Sequence, residues 1–392
     1  MRGARRLKIA AGLAAALCAA GPAQGESDKL ERGAQADASL EERLLAKART
    51  IPGTEVRYLF AGFVQLDAHW TRRELSGEEK DAFLSSAIPF EAAERDTRLS
   101  GRASQLNAIL RSPTRLGELT AHAQADLFKY EEGAQLNFTQ AYVRLGEWLT
   151  VGKTYSTFMD DEAWPATLDY NGPSGAVFAR QIVLRGSVPL GENLRVDAAL
   201  EDPQAESGSA DRPDFAARLR FAGERLHAQL AGLSRSVTYA ASGGASRSVD
   251  GWGVSASAAL GIGEEDRLLA QWTRGEGIGR YFNDGLSSIG AVLDAGGTLE
   301  PLRLTGIYLY YERKWAPRWS TTAGLSELRT QSEGLRPADD LKRVQYASVN
   351  LVHRLATDLF VGAELLWGNA ERQDGAQASD SRLQLTARYL IY

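Results

Sequence analysis

Residues 157–178, TFMDDEAWPATLDYNGPSGAVF, gather four carboxylates, Asp160, Asp161, Glu162 and Asp169, among Pro165, Gly172, Pro173 and Gly175. Glycine and proline preset the tight reversals of a shaped loop. Bases stand on the flanking segments, Lys153, Arg180 and Arg185, and on expected inward phases of other segments at Arg98, Arg102 and Arg218. An acidic loop facing a basic wall sets a transverse field, and in a low-dielectric constriction that field orients dipolar or anionic solutes. These ten residues form the candidate site, and its chemistry is selection rather than bond making. The four histidines, His69, His122, His227 and His353, show no metal-ligand spacing and no HExxH, and no serine elbow accompanies them. His122 and His227 read as polar lining residues, and the clusters GEGIG (275–279) and GIGEE (261–265) lack GxGxxG and read as turns. No catalytic, cofactor-binding or metal-ligating residue is therefore expected.

A wall that carries such a site must present alternate residues inward. From Glu55 the sequence has period two: Val56, Tyr58, Phe60, Val64, Leu66 and Trp70 alternate with Arg57, Gln65, Asp67 and His69. That is strand alternation. It recurs in Leu119, Ala121, Ala123 and Ala125 against Thr120, His122, Gln124 and Asp126, and again to the last residue. Sixteen strands are expected, starting near residues 55, 97, 117, 135, 147, 176, 192, 212, 224, 247, 264, 300, 317, 340, 357 and 379. Their connections alternate between long and short. The short ones centre on SPTR, LGE, PLGE, AGE, GIGEE, KWAPR and LATD, an asymmetry typical of outer-membrane barrels. Trp70, Trp252, Trp272 and Trp367 then fall at outer strand ends and Trp148, Trp315 and Trp319 at periplasmic ends, as two aromatic girdles require. The last strand, SRLQLTARYLIY, ends in Tyr392, but its apolar phase is Leu383, Leu385, Ala387, Tyr389 and Ile391. A bulge near the end would bring the terminal tyrosine into that phase.

Composition agrees with a barrel. The chain has 392 residues, 24% of them charged, with mean hydropathy −0.29 and no apolar run long enough for a membrane helix. A transmembrane strand shows lipid only every second residue, so a barrel keeps the composition of a water-soluble protein. At the start, Arg2, Arg5, Arg6 and Lys8 precede an apolar stretch from Ile9 to Ala20, and Ala23-Gln24-Gly25 supplies small residues for cleavage. The expected domains are a signal peptide over 1–25, a periplasmic arm, helical or flexible, over 26–54, and a barrel over 55–392. Removing the four bases of the leader takes the net charge from −5 to −9 and removes the single cysteine. Disulfides are thus excluded and nucleic acid is an unsuitable partner.

The fold expected is all-β: a 16-stranded antiparallel transmembrane barrel with its third external loop folded inward. Sixteen strands leave an aqueous channel, so passive diffusion of small hydrophilic solutes is the implied function. Two alternatives stay open, an outer-membrane hydrolase with a Ser-His or Asp-His pair formed between strands, and a closed barrel acting as anchor or receptor.

The stretch VGKTYSTFMDDEAWPATLDYNGPSGAVFARQ, with FAGFVQLDA and the SPTRLGEL turn, resembles the DcaP-like family of outer-membrane porins. The likeness extends over residues 55–392. It implies a homotrimeric porin in the outer membrane of a Gram-negative bacterium, surrounded by lipid, favouring small anions such as dicarboxylates through basic residues at the constriction. Arg180 and Gln181 match the family's Arg-Gln pair by position. Lys153 stands where a polar residue, often glutamine, is usual, and the family's long N-terminal coiled coil is reduced here to the short arm before the barrel.

Overall fold

The computed structural model describes residues 48–76, 80–127, 136–203, 211–239, 247–284, 290–293, 297–330 and 336–392. The expected signal peptide and the arm up to residue 47 lie outside the described residues. Where the arm is described, Arg49–Thr50 is a two-residue strand paired with Arg57 and Tyr58.

Among the described residues sixteen strands form the barrel. They are β1 (Arg57–Thr71), β2 in two segments (Asp96–Ser100 and Gln105–Thr114), β3 (Gly117–Asp126), β4 (Asn137–Leu145), β5 (Leu149–Tyr155), β6 (Arg180–Pro189), β7 (Leu194–Glu201) and β8 (Asp214–Ala222). The second half comprises β9 (Leu226–Tyr239), β10 (Arg247–Ile262), β11 (Asp266–Glu276), β12 (Arg303–Ala316), β13 (Trp319–Thr330), β14 (Leu341–Ala356), β15 (Leu359–Arg372) and β16 (Gln377–Ile391). Each pairs antiparallel with its sequence neighbours, and β16 returns to β1 in register from Gly62↔Ile391 to Thr71↔Arg382. Closure satisfies the backbone donors and acceptors that lipid cannot. Across Gly101–Ser104 the pairing with β1 slips by one residue, from Asp67↔Ser100 to Phe63↔Gln105, so β2 is bulged rather than continuous.

The alternation read from the sequence sets which face meets lipid. Along β1, Phe60, Val64, Leu66 and Trp70 are exposed on the outside while Gln65, Asp67, His69 and Thr71 are buried inside. Each outward Leu or Phe placed in lipid rather than water stabilises the barrel by roughly 1.5–3 kcal/mol. Trp252, Trp272 and Trp367 are exposed on outer strand halves, and Trp148 and Trp319 at periplasmic ends. One expectation fails. No bulge interrupts β16, whose ladders to β15 and β1 are unbroken. Leu383, Leu385, Tyr389 and Ile391 therefore face lipid, Leu390 faces inward, and Tyr392 lies beyond the strand.

Among the described residues, parts of three outer loops fold into the mouth, where the sequence pointed to only one. L1 (72–95) carries Leu75, Phe83 and Ile88, L3 (156–179) carries Phe158 and Met159, and L6 (277–302) carries Ile278, Tyr281 and Phe282. They share one apolar cluster with inward residues of the wall, including Leu269, Leu304, Tyr308, Tyr310, Val344 and Tyr346. The signal was present in strands apolar on both faces, such as Ile307-Tyr308-Leu309-Tyr310: one face meets lipid and the other meets a loop. Asp284 of L6 knits the three together, accepting from Ser174 Oγ of L3 at 2.9 Å and from the Ser86 amide of L1 at 3.2 Å.

Candidate functional site

L3 follows the inward face of the wall from β6 round to β16, and each step is held by a polar side chain at an inward position. At its root Arg185 of β6 donates to Thr157 Oγ1 at 2.8 Å and to the Tyr155 carbonyl, while Glu201 of β7 accepts from the Thr157 amide and from Ser156 Oγ, both at 2.6 Å. The Met159 carbonyl accepts from Arg218 at 3.2 Å and Gln229 at 3.1 Å, on β8 and β9. Arg218 is itself paired with Asp197 at 2.6 Å.

The acidic tip comes next. Asp160 is buried and takes hydrogen bonds from His227 Nε2 at 2.9 Å and Ser257 Oγ at 2.5 Å, with Arg220 at 3.5 Å. Asp161 pairs with Arg220 at 3.0 Å. Glu162 meets β11 through its carbonyl, which accepts from Arg267 at 3.2 Å. Burial alone would raise the Asp160 carboxyl, but the bond from His227 and the charge of Arg220 outweigh it and hold it at about 2. Acidic tip and basic wall are therefore in contact. The Asp160 and Asp161 carboxylates lie against Arg220 of β8 and His227 of β9, so at this point acidic loop and basic wall meet directly rather than across the lumen.

The far limb is held by β12 to β16. Glu312 accepts from the Ala166 amide at 2.8 Å, Asn350 donates to the Ala166 carbonyl at 2.8 Å, and Gln384 donates to the Leu168 carbonyl at 3.0 Å. One oxygen of Glu364 accepts both the Leu168 amide at 2.8 Å and the Asp169 amide at 2.6 Å. Tyr170 then reaches Asp126 of β3 at 2.6 Å. Asp169 is structural: it accepts from the amides of Phe83 at 3.0 Å and Gly172 at 2.9 Å. Burial pushes its carboxyl up to about 6, against the opposing charge of Arg382.

That raised value makes docking of L3 depend on pH. A carboxyl whose docked pKa exceeds its free value takes up a proton on docking, so docked L3 gains stability as pH falls from above 6 toward 4 and loses it as pH rises. Asp160, depressed to about 2, acts in the opposite sense only below about pH 4. Single-channel conductance is thus expected to drop between pH 7.5 and 5, and Asp169→Asn is expected to abolish the drop.

The other expected residues are placed as follows. Arg98 pairs with Asp96 at 2.6 Å and Arg102 with Asp81 at 3.0 Å, so both are tied to the root of L1 and the β2 bulge rather than to L3. Lys153 shares the outward phase with Leu149 and Val151, pairs across the sheet with Ala141 and Ile182, and donates to the Phe138 carbonyl at 2.7 Å. Arg180, in the same phase as Ile182 and Leu184, stacks at 4.9 Å from the Tyr155 ring and 4.8 Å from Phe178. By strand phase both stand outward, yet the Arg180 guanidinium also bonds the Tyr170 hydroxyl of L3 and so touches the infolded loop. The residues that sequence reasoning missed, Arg220, Arg267, Glu201, Glu312, Glu364 and Gln384, all occupy polar positions of the inward phase, which was their only signal.

His227 and Asp160 are paired, but they do not line up with a serine as base and nucleophile. Ser257 donates to Asp160 and not to the His227 imidazole, so the imidazole has no serine proton to take. His122 bonds Tyr142 and Asn107, and His353 faces outward, stacked on Trp319 at 4.0 Å.

The fold is shared with solved outer-membrane proteins. The outer membrane channel DcaP of Acinetobacter baumannii matches with TM-score 0.76 at 16% identity, over 88% of this chain and 99% of that one. An anion-selective porin from Comamonas acidovorans matches with TM-score 0.61 at 12% identity, over 86% and 100%. A trimer form of the outer membrane protein OmpT of Vibrio cholerae matches with TM-score 0.55 at 12% identity, over 86% and 99%. No curated protein matches the sequence. The chain belongs to the DcaP outer membrane protein family, whose sequence model matches residues 47–391, and its place is the outer membrane of a Gram-negative bacterium.

Proposed function

We propose that this protein is a diffusion porin, not an enzyme, which passes small hydrophilic solutes and prefers small anions such as dicarboxylates. Sixteen strands leave a lumen wide enough for water, and L3 laid along the wall narrows it without a covalent step. The trimeric form of the similar OmpT barrel and the selectivity of the similar Comamonas porin are properties of those proteins; they support reading this chain as an anion-preferring trimer.

The observation that carries the anion preference is a difference in how the charges are engaged. The carboxylates of the L3 tip lie against Arg220 and His227. Arg354, at an inward position of β14 near the periplasmic end, is buried with its Nε and Nη2 unpartnered. Its cross-strand neighbour is Phe360, and on the next strand Arg388 stands 5.7 Å from that ring. A guanidinium with open donors in a low-dielectric lumen favours a passing carboxylate.

Planar-bilayer recording on the purified protein tests the reading. Stepwise conductance with a reversal potential on the anion side is expected in a salt gradient; absence of steps would mean that the three infolded loops act as a plug. Arg354→Glu is expected to move the reversal potential toward cations, and Lys153→Glu, on the outward face, to leave it in place. A shift with Lys153→Glu and none with Arg354→Glu would reverse the assignment.

A further inference from the structure

We infer that the outward face at the outer ends of β11 to β14 docks the phosphorylated headgroups of outer-leaflet lipid. Outward positions elsewhere on these strands are apolar, as at Ile307, Leu309, Leu325, Val349 and Leu351, but near their outer ends the same phase is charged, with Arg274, Arg303, Arg329 and Arg343 beside Glu276, which pairs with Arg303 at 2.8 Å, and Glu327. Arg274, Thr305, Arg329 and Arg343 are cross-strand neighbours in one row, with Arg303 one step above. Arg329 and Arg343 lie directly opposite each other, a like-charge pairing that costs energy unless an anion shares it. Glu327 supplies part of that charge, at 3.3 Å from Arg329 and 3.7 Å from Arg343, and Glu371 pairs with Arg343. Arg274 is exposed, with no ion pair among the described residues.

The height of the row fits a headgroup layer. Trp319 and His353 stack at the periplasmic rim. Arg329 stands ten residues beyond Trp319 on β13, and Arg343 ten residues before His353 on β14. At about 3.3 Å per residue and a tilt of about 40°, that separation is about 25 Å, the thickness of a barrel's apolar band. Guanidinium groups at that level meet phosphate, for which their planar fork is suited.

The test titrates the full-length protein in mixed micelles with bisphosphorylated lipid A and with the same lipid dephosphorylated. The phosphorylated form is expected to bind preferentially. Each arginine removed should weaken binding about fivefold, hence roughly a hundredfold for the triple variant Arg274→Gln/Arg329→Gln/Arg343→Gln. Conductance should be unchanged, because these residues face away from the lumen. Arg274→Gln alone disturbs no ion pair and keeps the test decisive if the triple variant does not fold. Equal binding of the two lipids, or undiminished binding by Arg274→Gln, would overturn the proposal. Loss of the trimer with lipid binding intact would also overturn it and assign the row to a subunit interface.

Discussion

Glu364→Ala is expected to release the far limb of L3 and raise single-channel conductance. One carboxylate oxygen holds the Leu168 and Asp169 amides at 2.8 and 2.6 Å, and the other stands 3.5 Å from Asn350 Nδ2. Each of these bonds contributes about 0.5–1.5 kcal/mol net, and a methyl in place of the carboxyl leaves two buried donors unsatisfied at about 1–3 kcal/mol apiece. The expected cost to docking is about 3–5 kcal/mol, more than the two neutral bonds from Asn350 and Gln384 to the loop carbonyls can offset. Glu364 takes no part through its side chain in the strand ladder, so the barrel should keep its thermal stability. Glu364→Gln retains an acceptor oxygen and is expected to stay near the wild-type conductance. Recordings on both variants decide the matter: equal conductance in Glu364→Ala and wild type would show that L3 does not depend on this latch.

How much of this was legible beforehand differs between wall and site. All sixteen strands could be read, because lipid on one side and polar lumen on the other force alternation, and a slip of one residue would turn every side chain over. The third loop's inward course was legible from its Gly-Pro spacing and its carboxylates. The partners of those carboxylates were not, since proximity of Asp160 to His227 and Ser257 depends on how far the loop reaches round the wall, which no local pattern encodes. The strand phase of Lys153 and Arg180 was hidden for a different reason. β5 has only seven residues, and Thr150, Gly152 and Thr154 are no clearer an inward face than Leu149, Val151 and Lys153 are an outward one. On β6 the outward run Ile182, Leu184 and Val188 could have fixed the phase of Arg180. L1 and L6 were missed because their seats are apolar inward residues, which single-strand periodicity reads as ambiguity rather than as a surface awaiting a loop.

Gly175→Val should displace the return limb of the same loop by steric rather than electrostatic means. A Cβ at Gly175 would lie 2.3 Å from the Glu327 carbonyl oxygen and 2.7 Å from that of Ile307, both backbone atoms of the paired strands β13 and β12. Those oxygens belong to a closed ladder and cannot retreat, so the loop must. At Gly306 the fit is equally close from the other side: a Cβ there would stand 2.4 Å from the Gly175 carbonyl oxygen and 2.3 Å from the Phe282 ring. Overpacking of this kind costs typically 1–3 kcal/mol. It also pulls on the bonds that follow, from the Val177 amide to Gln271 at 2.7 Å and from the Phe178 amide to the Tyr281 carbonyl at 2.8 Å, which tie L3 to β11 and L6. The expected result is a larger conductance that no longer falls between pH 7.5 and 5, because Asp169 loses the burial that raises its pKa. Gly186→Ala, on the outward face of β6 where a Cβ meets nothing within 4 Å, is the matched control and should behave as wild type. If Gly175→Val conducts like wild type and keeps its pH response, L3 does not sit against β12 and β13, and the constriction must be built from other residues.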